Sequence, residues 1–254
     1  MSAAISQERA LEVIANNLAN LNTTGFKEDR VTFTVLDAEP SKNYKSPIPP
    51  AKFKVNLEEV MPLKGNDLGY VGIAGMTRDN SQGPALVTHN PHDLMLEGPG
   101  LFAIQTKQGT RYSRAGNFTK SPDGALVTKF GDPVLGEKGV IYLKSGEFQV
   151  NRQGEVFQNG KMLDRLAIFD FEKDSSLERR GNNYLFFGGD PATIQRVKAP
   201  SVQQGFLEGS NVNAVKNLTA MIIAHRSYEA YQKAVSNYDQ IMEKSSNRLA
   251  EVRA

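Results

Sequence analysis

Residues 211–253 read NVNAVKNLTAMIIAHRSYEAYQKAVSNYDQIMEKSSNRLAEVR and contain neither glycine nor proline. Apolar or aromatic side chains recur at alternating steps of three and four, interrupted only by Ser245, at Met221, Ala224, Tyr228, Tyr231, Val235, Tyr238, Met242, Leu249 and Val252. This spacing is the heptad pattern of a coiled-coil helix, which needs a second helix beside it. About forty residues at about 1.5 Å each predict a rod of roughly 60 Å. Because such a rod is too long for the core of an ordinary domain, we expect it to contact partners outside its own domain.

The N-terminal stretch repeats this pattern on a shorter helix. Ala4, Leu11, Ile14, Leu18 and Leu21 lie at steps of three, four and seven, which predicts an amphipathic helix from residue 2 to about residue 20. A helix of this length is marginal alone in water, so we expect it to become ordered against the C-terminal helix and its neighbours. The predicted assembly interface consists of Leu11, Ile14, Asn17, Leu18 and Leu21 together with the nine apolar or aromatic C-terminal positions named above.

The segment after the first helix changes character twice before residue 76. Residues 26–36 are predicted to be extended, because Val31, Phe33 and Val35 alternate with polar residues. Residues 37–52 hold four prolines and are predicted to be a loop or linker. The glycine-rich residues 65–75 are expected to be irregular.

From residue 76 to residue 200 the sequence predicts mainly β-structure. Residues 101–104 (LFAI) form a compact apolar strand, and residues 121–124 (SPDG) suit a type I turn. Further turn signals recur about every ten residues, which favours an antiparallel barrel or sandwich. Gly205 and Gly209 mark the return to helix, with Asn211 or Asn213 as its N-cap.

The predicted fold is therefore α+β, with N- and C-terminal coiled-coil helices flanking an antiparallel all-β central domain. We divide the chain into an N-terminal helix of an axial core (1–30), an extended linker region (31–75), a central β domain (76–204) and a C-terminal axial-core helix (205–254). The two ends must approach each other for their apolar stripes to pair.

Composition narrows the functional classes. The 254 residues carry a formal net charge of +2, which gives no electrostatic signature of a nucleic-acid partner. The chain has no cysteine, so disulfides and thiolate metal sites are impossible. No apolar run approaches the length of a membrane span, and residues 1–10 lack the apolar block of a signal peptide. We therefore expect no direct membrane insertion and, if the protein is exported, no cleaved signal.

One cluster invites a metal hypothesis. His89, His92 and Asp93 could bind a divalent ion, or an enzyme could work from this loop. Pro91 prevents a helix from placing both histidines on one face, so a turn between strands is the favoured interpretation. His225 on the long helix is expected to pack beside the seam.

Other motifs are also interpreted as structural. Residues 98–100 (GPG) lack the third glycine of a dinucleotide fingerprint and favour a turn that leads into a strand. The carboxylate pair Glu58 and Glu59 and the cation pair Arg179 and Arg180 are both expected to be solvated surface groups. We therefore predict no catalytic residues, no bound metal and no cofactor.

The tyrosines of the long helix allow two interpretations. Tyr228, Tyr231 and Tyr238 could form the core of a helical hairpin, or they could be buried against copies or relatives of the same protein. Aromatic side chains supply a large contact area at modest entropic cost. The length of the seam favours the assembly interpretation.

Five sequence blocks carry a family resemblance. Residues 13–20 (VIANNLAN) and 22–27 (NTTGFK) resemble the N-terminal signature of the flagellar basal-body rod and hook proteins, and residues 205–215 (GFLEGSNVNAV) resemble the C-terminal signature. Residues 93–102 (DLMLEGPGLF) and 112–118 (YSRAGNF) are similar to the family's central β motifs. Within the family, the C-terminal block and the chain length are most similar to the proximal rod type, and the distal rod type is the nearest alternative.

The resemblance implies a structural function in the basal body. Members of this family leave through the flagellar type III export apparatus, line an axial tube with their terminal helices and transmit torque from motor to hook. The implied partners are copies of the chain in a helical array, other proximal and distal rod proteins, and the export apparatus. The alternatives are a distal rod or hook-type axial protein, or, in another class, a secreted β-domain glycan-binding module whose helices only dimerise it.

Overall fold

A computed structural model describes residues 2–37, 69–144, 146–171, 177–190 and 193–251. Helices α1 (Ser2–Ala19) and α2 (Ala214–Glu251) lie at the two ends. The strands between them are β1 (Asp29–Asp37), β2 (Gly69–Arg78), β3 (Ala85–Val87), β4 (Leu94–Glu97), β5 (Leu101–Thr106), β6 (Gly109–Ser113), β7 (Phe118–Lys120), β8 (Leu126–Thr128), β9 (Leu135–Gly136), β10 (Gly139–Val140), β11 (Phe148–Val150), β12 (Glu155–Gln158), β13 (Lys161–Arg165), β14 (Ile168–Phe171), β15 (Leu177–Arg179), β16 (Leu185–Phe187), β17 (Ile194–Arg196), β18 (Ser201–Gln204) and β19 (Phe206–Glu208). The predicted arrangement, two terminal helices around an antiparallel β core, is confirmed, whereas coiled-coil packing stays a prediction.

The chain divides into two units. The terminal unit contains Met1–Ile14, Val31–Met76 and Thr219–Ala254, and the β unit contains Ala15–Arg30 and Thr77–Leu218. Residues 15–30 and the start of α2 thus group with the β strands, and the predicted division of the chain into four segments stays a prediction.

The largest sheet of the β unit has six antiparallel strands in the order β15-β16-β6-β5-β14-β17. A three-stranded sheet, β11-β12-β13, and several two-stranded ladders complete the unit. Two ladders, β18 with β4 and β19 with β3, join the strands before α2 to strands about a hundred residues earlier. The segment after residue 200 is therefore built into the β unit.

Residues 101–104 of strand β5 are apolar because both faces of the strand are covered there. Phe102 and Ile104 belong to the main hydrophobic core, where the rings of Phe102 and Phe118 meet edge to face at 5.2 Å. Ala103 points to a second cluster that includes Tyr112 and Leu185. A strand buried on both faces reads as a continuous apolar run rather than an alternating one.

The predicted turns are present. Lys107 and Gln108 connect β5 to β6, and the amide of Gly124 donates to the carbonyl of Ser121 at 2.8 Å. Gly124 has a φ of 86°, a left-handed conformation that glycine adopts without strain. Residues 98–100 form the predicted turn between β4 and β5.

The expectation of irregular structure at residues 65–75 is wrong for its described part, since β2 runs from Gly69 to Arg78 and pairs with β1. Pairing with a neighbouring strand outweighs the low strand propensity of glycine, because strand propensity depends strongly on context. The extended segment predicted over residues 26–36 is confirmed as β1. Residues 38–52 of the predicted linker, and the pair Glu58 and Glu59, lie outside the described residues.

Neither α1 nor α2, as far as the structure describes them, is long and apolar enough to cross a membrane.

Gly116 lies where β4 passes closest to the segment after β6. Its carbonyl accepts from the amide of Leu94 at 3.0 Å, and a Cβ on Gly116 would overlap the carbonyl oxygen of Leu94. Gly116→Ala is therefore expected to destabilise the protein by about 2 kcal/mol or more, since the two backbones must separate. Denaturant unfolding measures the change.

Gly75→Ala is the matched control, because a Cβ there meets nothing within 4 Å. Its stability should stay within about 0.5 kcal/mol of the wild type. Equal stability of both variants would show that the close approach at Gly116 is not a constraint.

Candidate assembly surface

Both terminal helices contribute to one surface of the terminal unit. A groove of about 460 Å³ is lined by Ile5 and Glu8 from α1 and by side chains of α2 that include Tyr228 and Val235. Ile5 remains 59 % exposed beside this groove. The two chain ends therefore approach each other in this unit. Ile5 and Glu8 are not positions of the predicted N-terminal stripe, so the pairing of the two stripes stays a prediction.

The predicted interface residues fall into three groups. The first group is partly buried within the chain and consists of Leu11, Ile14, Leu18, Leu21, Met221, Tyr228 and Val235. The second group is buried and consists of Asn17 and Ala224. The third group is exposed and consists of Tyr231, Tyr238 and Met242. Leu249 has no described side chain and Val252 lies outside the described residues, so the role of both stays a prediction.

Further large apolar side chains on α2 are exposed although the heptad pattern did not include them. Ile222, Ile223 and Ile241 are 55 %, 61 % and 61 % exposed, and Val215 and Leu218 nearer the start of the helix are also exposed. They sit next to seam positions in the sequence, so the signal was present as apolar pairs such as Met221-Ile222 and Ile241-Met242. We define the α2 apolar surface as Ile222, Ile223, Tyr231, Tyr238, Ile241 and Met242.

Asn17 differs from the other predicted interface residues because its side chain is used inside the chain. Its amide nitrogen donates to the carbonyl of Asp29 at 2.8 Å, and its amide oxygen accepts from the Asp29 amide at 3.0 Å. The side chain is 2 % exposed. Asn17 therefore fixes the return of the chain after α1 and offers no exposed surface to a partner in this structure.

Glu208, at the end of β19, joins three sequence blocks in the β unit. Lys27 Nζ donates to Glu208 Oε1 at 2.6 Å, and Arg114 Nε donates to Oε2 at 2.5 Å. The amide of Gly83 donates to Oε1 at 3.0 Å. The guanidinium of Arg114 also donates to the carbonyls of Gly100 and Leu96, at 2.6 and 2.7 Å. We call Lys27, Arg114 and Glu208 the Glu208 cluster.

The Glu208 cluster is a buried and satisfied ion network. The side chain of Glu208 is 1 % exposed and that of Arg114 is 6 % exposed. Burial alone would raise the pKa of Glu208, but the charge of Arg114, the hydrogen bonds from Lys27 and Arg114 and the Gly83 amide together hold that pKa below its usual value. The carboxylate is therefore ionised at neutral pH, and removing it would leave two buried cations without their partner.

Arg179 corrects the expectation that the pair Arg179 and Arg180 is solvated. Its guanidinium stacks over the ring of Phe26 at 4.3 Å and pairs with Asp29 at 3.2 Å. Burial lowers the pKa of Arg179. Arg179 is the last residue of β15, an outer strand of the six-stranded sheet, and Arg180 follows the end of that strand. Arg180 is exposed and pairs with Glu178, as expected for a surface cation.

Hydrogen bonds from two asparagine side chains fix the position of the start of α2. Asn213 caps the helix, since its side-chain oxygen accepts from the Lys216 amide at 2.9 Å, which confirms one of the two predicted N-caps. Asn211 instead ties this point to earlier segments, accepting from the Glu28 amide at 2.7 Å and donating to the carbonyl of Asp79 at 2.8 Å. The first turn of α2 is thus anchored to the β unit.

The histidine loop is a turn between strands, as predicted. His89 has a φ of 57° and is exposed, and the ring of His92 stacks on Phe148 at 5.3 Å. Asp93 is buried. Among the described residues, no group of three or more metal-ligating side chains is arranged to hold an ion. His225 is exposed, not packed, and lies 3.5 Å from Glu229.

Comparison with known families matches three parts of the chain. Residues 1–27 match the family described as "Flagella basal body rod protein". Residues 95–158 match "Flagellar hook protein FlgE/F/G D1 domain", and residues 203–249 match "Flagellar basal body rod FlgEFG protein C-terminal". The outer matches cover the segments that form α1 and α2, and the middle match covers part of the β unit.

Individual relatives match over nearly the whole length. The chain is 31 % identical to the flagellar basal-body rod protein FlgF of Caulobacter vibrioides, covering 99 % of this chain and 96 % of the relative. It is 34 % identical to the rod protein FlgG of Agrobacterium fabrum, covering 96 % and 95 %. It is 31 % identical to FlgG of Bacillus subtilis, covering 93 % and 92 %. The chain therefore belongs to the family of flagellar basal-body rod proteins and is a structural protein of that rod.

Proposed function

We propose that this protein assembles through α1 and α2 into an axial tube that transmits torque from the motor to the hook. Its partners are further copies of the chain in a helical array and other rod proteins. The distal rod protein is the alternative within the family. The resemblance of the C-terminal block, the chain length and the match to a FlgF protein over 99 % of this chain support the proximal position.

The α2 apolar surface carries this proposal. Six large apolar side chains of one helix are each at least 41 % exposed. A helix that leaves several large apolar side chains exposed is expected to bury them against another protein. Fully burying one Val-, Leu- or Ile-sized side chain stabilises a contact by about 1.5–3 kcal/mol. Several such side chains repeated in every subunit would provide a strong drive for assembly.

The symmetry of the contact between subunits depends on which patches of the terminal unit touch each other. The α2 apolar surface and the groove beside Ile5 are different patches of the same unit. A patch of one subunit that binds a different patch of the next makes a head-to-tail contact, and such contacts give filaments when the rotation does not close. An axial array is the structure that such contacts produce.

Export by the flagellar type III apparatus without signal cleavage is part of the proposal. Support comes from the terminal sequence blocks, which resemble those of proteins exported in this way. Detection of the intact N-terminal peptide in purified basal bodies by mass spectrometry would agree with it.

Cryo-electron microscopy of purified basal bodies tests the proposed function. We expect α1 and α2 to line the axial tube, with the α2 apolar surface buried between subunits and the β unit outside it. The same map shows whether this chain lies before or after the distal segment. A map in which Tyr238 and Ile241 of every copy face solvent would contradict the proposal.

A further inference from the structure

The groove between α1 and α2 combines apolar and acidic side chains. Its described lining consists of Ile5, Glu8, Tyr228, Gln232, Val235, Ser236 and Asp239. The charged members of this lining are Glu8 and Asp239, and both side chains are exposed. The groove therefore presents apolar area beside two carboxylates, which suits an occupant that is both apolar and positively charged.

A different side of α2 carries the opposite charge. Ile222 and Ile223 are 55 % and 61 % exposed, and Arg226 and Lys233 further along the helix are also exposed. At about 100° per residue, Ile222, Arg226 and Lys233 lie within about 20° of one line along the helix. This line is about 120° around the helix from the residues that line the groove. We call Ile222, Ile223, Arg226 and Lys233 the basic stripe.

The basic stripe and the groove have the same length along α2. The stripe runs from residue 222 to residue 233, and the groove-lining residues of α2 run from residue 228 to residue 239. Each patch spans eleven residue steps, which is about 16 Å at about 1.5 Å per residue. A second α2 that lies along the groove would therefore cover it with the whole of its basic stripe.

The charges of the two patches are not paired within the chain. Glu8 and Asp239 of the groove form no ion pair with any residue that the structure describes, and the same holds for Arg226 and Lys233 of the stripe. An exposed charge that its own chain leaves unpaired is available to a partner of the opposite sign.

The neighbouring charges do not change the sign of either patch. In the terminal unit, the other acidic and basic side chains described on the two helices are Arg9, Glu12, His225, Glu229, Glu243 and Lys244. Arg9 and Glu12 pair at 2.9 Å, and Glu243 and Lys244 are consecutive residues of opposite charge. Glu229 adjoins the stripe and lies 3.5 Å from His225. Even with His225 neutral, the two cations of the stripe exceed this one carboxylate, so the stripe stays positive and the groove negative.

One chain cannot bring its own stripe to its own groove, because the two patches lie on different sides of the same helix. A second copy of the chain can do so. Its Ile222 and Ile223 would cover the apolar part of the groove, and its two cations would lie near Glu8 and Asp239. Complementary charges across an interface fix its register and disfavour wrong partners. The chain is therefore complementary to itself, which identifies the occupant of the groove as another copy.

We propose that the groove of one subunit binds the basic stripe of the next copy of this chain. This inference rests on the proposed axial assembly and names the two patches that meet in it. Because the contact joins different patches, it is head-to-tail and can repeat along an array. Exposed charge pairs are weak and are screened by salt, so the isoleucines supply most of the attraction and the charges fix the register.

Carbodiimide treatment of purified basal bodies tests the contact, because this reagent joins a lysine amine to a carboxylate that touches it. Crosslinked multimers of this chain should contain Lys233 joined to Glu8 or Asp239, and the monomer should not. Lys233→Arg keeps the charge but removes the amine, so the cells should swim normally and the crosslink should disappear. Lys161→Arg, at an exposed position of the β unit, is the matched control and should keep the crosslink.

Charge reversal tests the same contact in cells. Arg226→Glu with Lys233→Glu should reduce the number of complete basal bodies roughly tenfold, because like charges then face each other in every contact. Glu8→Lys with Asp239→Lys should do the same. A variant with all four changes restores opposite signs and should recover most of the basal bodies, whereas Lys161→Glu should match the wild type throughout. Thermal unfolding of each purified variant shows that it is folded.

The outcomes separate this contact from the axial assembly itself. Basal bodies that contain the chain but lack the Lys233 crosslink would overturn the contact and leave the axial assembly in place. The same conclusion follows if the fourfold variant assembles no better than either double variant. A crosslink of Lys233 only to a different rod protein would overturn the assignment to a second copy. Basal bodies without this chain would contradict the proposed function, and the contact with it.

Discussion

Cells that carry Ile241→Asp as their only copy of this protein are expected to be non-motile and to lack complete rods. Ile241 is 61 % exposed in the single chain, so its loss costs little folding stability. In an assembled contact the substitution removes about 1.5–3 kcal/mol of burial and also places an unpaired charge in an apolar interface. The penalty recurs in every subunit, which is why one position has so large an effect. Swimming assays and electron microscopy of basal bodies measure the result.

Gln240→Asp provides the matched control for this prediction. Gln240 is exposed on the same helix, next to Ile241 but outside the α2 apolar surface, and the substitution adds the same charge. It should leave motility and rod length unchanged. Both purified variants should unfold at the same denaturant concentration as the wild type. If Ile241→Asp cells swim normally, α2 does not assemble through this surface.

Glu208→Gln is expected to destabilise the purified chain by about 3–5 kcal/mol at pH 7, because it leaves Lys27 and Arg114 buried without a counter-charge. Glu178→Gln is the control, since its partner Arg180 lies at the surface and both side chains are more than half exposed. That variant should lose less than about 1 kcal/mol. Denaturant unfolding compares the two, and equal losses would show that the Glu208 cluster is not important for stability.

The same variant predicts a dependence on pH. The pKa of Glu208 in the folded chain lies below its ordinary value of 4.5. A carboxyl group with a lowered folded pKa stabilises the native state above the unfolded pKa, and this contribution disappears as the pH falls through the folded pKa. The stability difference between wild type and Glu208→Gln should therefore be full near pH 7 and shrink in acid below about pH 4.5. A difference that is constant down to strong acid would contradict the assignment.

Sequence periodicity was sufficient to predict the terminal helices. The heptad positions from Met221 to Met242 are one continuous helix, and the predicted end of α1 near residue 20 agrees with its last residue, Ala19. Both helices have strong local signals, namely apolar spacing and capping residues, that do not depend on the rest of the fold. Which apolar residues stay exposed was not predictable, because it depends on how much of each helix its own chain covers.

The interior of the β unit could not be predicted in the same way. The motif residues Lys27, Arg114 and Glu208 were recognised as parts of three separate blocks, but no local pattern says that they meet. Arg179 looked like an ordinary surface cation because its partners Phe26 and Asp29 are about 150 residues away in the sequence. Contacts between distant residues are set by the strand order, which spacing alone does not give.

The bond between Lys27 and Glu208 joins positions 181 residues apart, which has a consequence for the newly made protein. A polypeptide leaves the ribosome N-terminus first, so Lys27 and Arg114 can pair with Glu208 only after most of the chain has been translated. Strand β3 likewise can pair with β19 only after residues 206–208 have been synthesised. Proteins dominated by such distant pairings fold slowly. The Glu208 cluster and the β3–β19 ladder can therefore form only when synthesis is nearly complete, so the β unit reaches its final structure late in the life of the nascent molecule.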